Sequence, residues 1–177
     1  MGLVGTLYKE TTPAMVFSAV SIPKLITTGG PFKKALESAG ALAIYAPLEG
    51  GYEGRYIRRL RTAGYRAVTV TARGLGDLDR YLNGVHGVRP PHLGKKNVGK
   101  EAAVGPVYFV PPILSCQLGE LDAKSKGVVL WIIEGQVFSK QELNYLNSLP
   151  QRDSRIKIVV EMGGARGFTW KPLSELL

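Results

Sequence analysis

The run Val128-Val129-Leu130-Trp131-Ile132-Ile133 constrains the fold more than any other stretch of the chain. Six apolar residues in succession put large side chains on both faces of a strand, so a strand formed there must be covered on both sides. Residues 41–46 form a second continuous apolar run, 67–71 a β-branched strand, and 156–160 a further strand. Helical patterns separate them. Pro31 opens a stretch with Phe32, Ala35, Leu36 and Ala39 at helical spacing and Gly40 as its stop. Residues 53–63 gather Tyr56, Ile57 and Leu60 on one side and end at Gly64. Residues 77–82 predict a shorter helix, and 107–110 a strand closed by Pro111 and Pro112. Ser139 and Glu142 form a capping box ahead of a helix over 140–149, with Leu143 and Leu146 facing inward. This alternation specifies an α/β fold, a mostly parallel sheet flanked by helices. At 177 residues, 45% hydrophobic and 21% charged, the chain is expected to form a single α/β domain over 25–177, preceded by an N-terminal extension over 1–24. No apolar run approaches the ~18 residues that a membrane-spanning helix needs.

Charge marks the second feature. The chain carries 23 Lys+Arg against 14 Asp+Glu, a formal +9, and 11 of the basic residues fall between 53 and 100 against three acidic ones. Such a field draws an acidic partner, whether nucleic acid, an anionic membrane surface or a negatively charged protein. Within it, residues 84–103 are rich in Gly, Pro and Lys and follow neither period, which reads as a long basic loop and a binding surface.

The motifs that suggest chemistry fall short of it. Gly94-Lys95-Lys96-Asn97-Val98-Gly99-Lys100 begins like a phosphate-binding loop, but Glu101 stands where Ser or Thr would hold magnesium, and no buried strand precedes it. Gly50-Gly51-Tyr52-Glu53-Gly54 lies between a strand and a helix, as a dinucleotide fingerprint would, yet Glu49 occupies the position of its first glycine. A tight turn is the simpler role. Glu134 and Glu161 each end a strand; they read as a pair for acid–base work or, more simply, as partners for loop amides and basic neighbours. His86 and His92 lack companion ligands, Cys116 has no sequence-adjacent base, and Trp131 and Trp170 suit a core or an interface. A single cysteine makes no internal disulfide and cannot supply the four thiolates of an iron–sulfur cluster. No catalytic, cofactor-binding or metal-binding residue is therefore assigned.

Longer strings carry a resemblance. Residues 49–56 (Glu49-Gly50-Gly51-Tyr52-Glu53-Gly54-Arg55-Tyr56), 71–78 (Thr71-Ala72-Arg73-Gly74-Leu75-Gly76-Asp77-Leu78) and 84–96, with Arg89-Pro90-Pro91-His92 at its centre, closely resemble the subunit N family of the NAD(P)H–quinone oxidoreductase of cyanobacteria and chloroplasts. The likeness continues through 107–112, 130–136 and 160–164, spanning about residues 25–173.

The resemblance implies an accessory subunit of the hydrophilic arm of a photosynthetic complex I-like translocase. That assembly passes electrons from NAD(P)H or reduced ferredoxin to plastoquinone and couples the transfer to proton translocation. It implies no cofactor on this chain, with iron–sulfur clusters and plastoquinone held by neighbouring subunits. The expected partners are other hydrophilic-arm subunits, with ferredoxin at most indirect and no nucleic acid. The expected place is peripheral, on the cytoplasmic (stromal-equivalent) side of the thylakoid membrane, joined to it through the complex alone. Arginine's planar fork suits docking onto carboxylates and carbonyls. The expected contacts are accordingly Arg55, Arg58, Arg59, Arg61, Arg89, His92, Lys95 and Lys96. The alternative is a stand-alone basic α/β module that binds nucleic acid or a dinucleotide.

Overall fold

Two glycines turn helices into strands. Gly40 (φ 77) and Gly64 (φ 94) hold left-handed backbone that other residues rarely adopt, and at Gly40 an added Cβ would also come 2.7 Å from Pro150. The computed structural model describes residues 29–47, 53–88, 97–98, 101–102 and 108–177. In chain order the elements are α1 (Gly29–Ala39), β1 (Ala41–Tyr45), α2 (Glu53–Thr62), β2 (Tyr65–Thr71), α3 (Leu78–Asn83), β3 (His86–Val88), β4 (Asn97–Val98) and β5 (Glu101–Ala102). They continue with β6 (Tyr108–Val110), α4 (Ile113–Gly119), β7 (Gly127–Ile133), α5 (Lys140–Arg152), β8 (Ile156–Glu161) and β9 (Thr169–Pro172).

The main sheet runs β2-β7-β8-β1-β9. Its first four strands are parallel, and β9 lies antiparallel on β1. Because side chains alternate along a strand, each apolar run feeds two cores. One face carries Leu42, Ile44, Val129, Trp131 and Val159 beneath α1 and α2, which contribute Phe32, Leu36, Tyr56, Ile57 and Leu60. The other carries Ala41, Ala43, Leu130, Ile132, Ile158 and Val160 beneath α3, α4 and α5, which contribute Leu78, Leu82, Leu114, Leu143, Leu146 and Leu149. The mostly parallel α/β sheet flanked by helices is thus observed, in three layers. The Ser139 capping box is present: Glu142 N–H donates to Ser139 Oγ at 3.3 Å, and Ser139 N–H donates to Glu142 Oε2 at 2.8 Å.

The structure adds to the sequence reading at five elements. Helix α1 begins at Gly29, so Pro31 lies inside the first turn, where a missing N–H costs no helical hydrogen bond. The short α4 and the edge strand β9 carried no clear period. Strand β6 is formed, but it pairs with β3 in a separate two-stranded sheet rather than joining the core. Strand β3 falls inside the stretch read as a loop. The extension over 1–24 and much of 84–103 lie outside the described residues. Among the described residues, no helix is long and apolar enough to cross a membrane.

Candidate functional site

Helix α2 makes a cationic surface by its own periodicity. Burying Tyr56, Ile57 and Leu60 leaves positions 55, 58, 59 and 62 on one outward stripe, spaced i, i+3, i+4, i+7. Arg55, Arg58 and Arg59 there line an open groove of about 830 Å³ together with Lys33, Gly29 and Gly30 of α1. The Arg59 side chain lies close over the start of α1: a Cβ on Gly29 would come 2.7 Å from Arg59 Cδ, so a larger residue there would push the flexible arginine aside. Among the described residues, no ion pair joins Arg55 or Arg58 to a carboxylate.

Rings hold the groove from below. Tyr56 stacks on Phe168 with centroids 3.9 Å apart and planes 13° from parallel. Phe32 meets Tyr56 edge-on at 4.9 Å and Trp170 at 5.5 Å. Edge-to-face pairs have a preferred geometry. They fix α1 against α2 more narrowly than aliphatic contacts would.

The structure divides the other expected contact residues. Arg61 leaves the stripe; its Nη2 donates to Ala67 O at 3.5 Å, and the side chain borders a second recess of about 470 Å³ with Tyr65, Arg66, Glu120 and Lys124. There Arg66 is already engaged by Glu120 at 2.6 Å. Arg89, His92, Lys95 and Lys96 lie outside the described residues. Lys33 was not singled out from sequence, because only the packing of α1 on α2 brings it beside Arg55 and Arg58.

Glu134 and Glu161 end adjacent strands at the carboxyl edge of the sheet, yet they do not act on one another. Glu134, at φ 59, lies 3.6 Å from Arg73 Nε. Burial raises the Glu161 pKa above its usual value, and the charge of Glu53 raises it further. The Trp131 indole N–H works the other way, favouring the carboxylate. That N–H is buried and does not complete a hydrogen bond of ordinary geometry. Cys116 is no activated thiol: Glu120 accepts its S–H at 3.5 Å and, with burial, pushes the thiol pKa up. Among the described residues, no three His, Cys, Asp or Glu side chains converge as metal ligands.

The dominant feature among the described residues is therefore a cationic, concave surface between α1 and α2. The family model for NADH-quinone oxidoreductase cyanobacterial subunit N (NdhN) matches residues 23–175. The chain belongs to this family. A relative from Crocosphaera subtropica, named NAD(P)H-quinone oxidoreductase subunit N, is 65% identical over 153 residues, covering 86% of this chain and 97% of the relative. Relatives of the same name from Synechococcus elongatus and Nostoc punctiforme are 61% identical over 150 residues and 59% over 153. They cover 85% and 86% of this chain, and 95% and 97% of their own lengths. The stretch matched by the family begins close to where the sequence resemblance does, so residues 1–22 stand outside it.

Proposed function

We propose that the protein is an accessory subunit of NAD(P)H–quinone oxidoreductase, seated in the hydrophilic arm, that holds its neighbours in register and carries no redox centre itself. In this reading electrons from NAD(P)H or ferredoxin reach plastoquinone through iron–sulfur clusters of neighbouring subunits, and proton translocation follows in the membrane arm. The subunit attaches to the thylakoid membrane on its cytoplasmic side, through those neighbours alone. The observation that carries the proposal is the α1–α2 groove. Arg55, Arg58 and Arg59, with Lys33 beside them 3.7 Å from Glu37, present cationic side chains on two helices whose inner faces pack on aromatic rings. Guanidinium groups pair bidentately with carboxylates and are less strongly hydrated than ammonium groups, which suits a protein interface. Family membership supplies the setting, and the single cysteine fits a chain that leaves cluster binding to others.

The test is charge reversal in the assembled enzyme. Arg58→Glu with Arg59→Glu is expected to release the subunit when the complex is purified through a tag on another subunit, while the full-length chain keeps its circular dichroism and melting temperature. Undiminished recovery of the double variant in the complex would refute docking through this groove.

A further inference from the structure

The two edges of the main sheet are finished differently. Strand β9 at one edge has four residues, carries Lys171 and ends on Pro172, features that discourage a further strand. Strand β2 at the other edge runs for seven residues without proline or lysine, and its single charge, Arg66, is held by Glu120 at 2.6 Å. Two hydrogen bonds fix which way its backbone points. Ala72 N–H donates to Ile133 O at 2.9 Å, and Lys126 N–H donates to Gly64 O at 2.8 Å. Even-numbered residues of β2 therefore face β7, and the odd-numbered Ala67, Thr69 and Thr71 turn their N–H and C=O groups to the outer side. Among the described residues, no strand pairs there. Arg61 Nη2 reaches Ala67 O at 3.5 Å, longer than an ordinary N–H···O bond, from an exposed and movable side chain. The side chains alternate too. Val68 and Val70 turn toward the aliphatic core, whereas Thr69 and Thr71 are exposed on the α1–α2 face.

We propose that the outer edge of β2 accepts an extended segment of a neighbouring protein subunit as a sixth strand of the main sheet. The proposal rests on the assembly role given above and adds a second attachment, made by main chain instead of by arginine. A row of alternating donors and acceptors at strand spacing is matched in register by another extended backbone, which is how strand addition gains its affinity. The incoming strand alternates to suit: apolar side chains beside half-buried Val68, polar ones beside Thr69 and Thr71. Charge argues against a second copy of this chain as the occupant. Antiparallel pairing of two β2 edges would set Arg61 and Lys124, at the start of one, toward Arg73, just past the end of the other, with a formal +9 on each chain.

The experiment uses the intact complex and the full-length chain. Hydrogen exchange, read residue by residue, should be slow at Arg66, Val68 and Val70 in both states, because β7 holds those amides. At Ala67, Thr69 and Thr71 it should be fast in the free wild-type chain and slow in the complex. Thr69→Pro removes an outward N–H without removing a β2–β7 hydrogen bond, and should raise the rate at which the subunit leaves the purified complex by about 10-fold. Thr69→Ala keeps that N–H and should leave the rate at the wild-type value. The exchange pattern needs no variant, so it decides the matter even where Thr69→Pro fails to fold. Odd-numbered amides that exchange equally fast in both states, or a wild-type rate of release for folded Thr69→Pro, would overturn the proposal. So would odd-numbered amides already slow in the free chain: in a monomer by sedimentation the chain covers its own edge, and in a dimer a second copy does. Absence of the wild-type chain from the purified complex would instead defeat the assembly reading itself.

Discussion

The two helical layers differ in what they bury and in what they display. Beneath α1 and α2, Phe32 lies within 4.9–6.1 Å of the rings of Tyr56, Trp170, Phe168 and Trp131. Beneath α3, α4 and α5 the buried contacts are leucines on alanine, valine and isoleucine. Outside, the first layer shows arginines. The second shows a shallow recess of Asp77, Asp79, Glu142 and Tyr145, in which the Tyr145 hydroxyl donates to Asp79. Helix α2 has only three buried residues in ten. Its arginines are therefore placed less by the helix itself than by the rings it rests on. A surface meant to present charge at fixed positions benefits from a core whose packing is directional.

The largest effect that would sharpen this contrast is truncation of Trp131, which is fully buried on the aromatic side of β7. Trp131→Ala is expected to cost about 4 kcal/mol in urea unfolding, against about 3 kcal/mol for Leu146→Ala in the aliphatic layer. The two should also separate in binding. Under conditions where both variants are folded, Trp131→Ala should weaken recovery in the complex and Leu146→Ala should leave it intact. Equal losses of recovery would mean that the rings do not position α2.

Smaller substitutions test each layer's attachments. Tyr65 links the start of β2 to α1: its hydroxyl donates to Glu37 Oε1 at 3.1 Å, and Lys126 approaches the same oxygen at 3.4 Å. Burial first, and then the Glu37 charge, push the Tyr65 pKa up to about 12. Because the folded value exceeds the unfolded one, this stabilisation is complete below pH 10 and disappears as the pH climbs through 12. Tyr65→Phe should therefore cost ~1 kcal/mol at pH 8 and become more stable than wild type above pH 12, where wild type must hold a phenolate beside Glu37, read by denaturant unfolding at each pH. In the aliphatic layer, Ser139→Ala removes the capping box of α5 and should cost ~1 kcal/mol, without change in recovery of the subunit.

These expectations draw on features that the sequence exposes unevenly. Of the four parallel strands, β1 and β7 were legible as unbroken apolar runs that fit only a strand covered on both faces, β2 and β8 as short β-branched stretches between helical patterns, and α1, α2 and α5 because period, glycine and cap agree. Strand β9 was not: Thr169-Trp170-Lys171-Pro172 is four residues on an edge, where one pairing neighbour suffices and a terminal proline is tolerated. Arg55, Arg58 and Arg59 could be read from α2 alone. Lys33 could not, since its place in the groove follows from a contact between two helices whose charges give no sign of it. Tyr108-Phe109-Val110 shows the limit from the other direction. Apolar strings read as core, and only the pairing of β6 with β3, away from the main sheet, reveals that this one faces outward.

The smallest expected effect lies where the aromatic layer meets the carboxyl edge of the sheet. Glu161 is held partly buried beside Trp131 and near Glu53, and both the burial and the neighbouring charge raise its pKa from 4.5. Between 4.5 and the raised value, the folded chain binds more protons at this site than the unfolded chain does. The site's stabilisation is then full below pH 4.5 and is lost as the pH rises through that window. Glu161→Gln, which cannot ionise, should consequently be more stable than wild type at pH 7, with the advantage shrinking as the pH is lowered to 4, as followed by thermal unfolding. Glu53→Gln should give part of the same gain by removing the like charge alone. A wild type more stable than Glu161→Gln at pH 7 would mean that attraction to the Trp131 N–H outweighs burial and repulsion. The carboxylate would then help fix the indole, and through it the ring floor beneath the arginines.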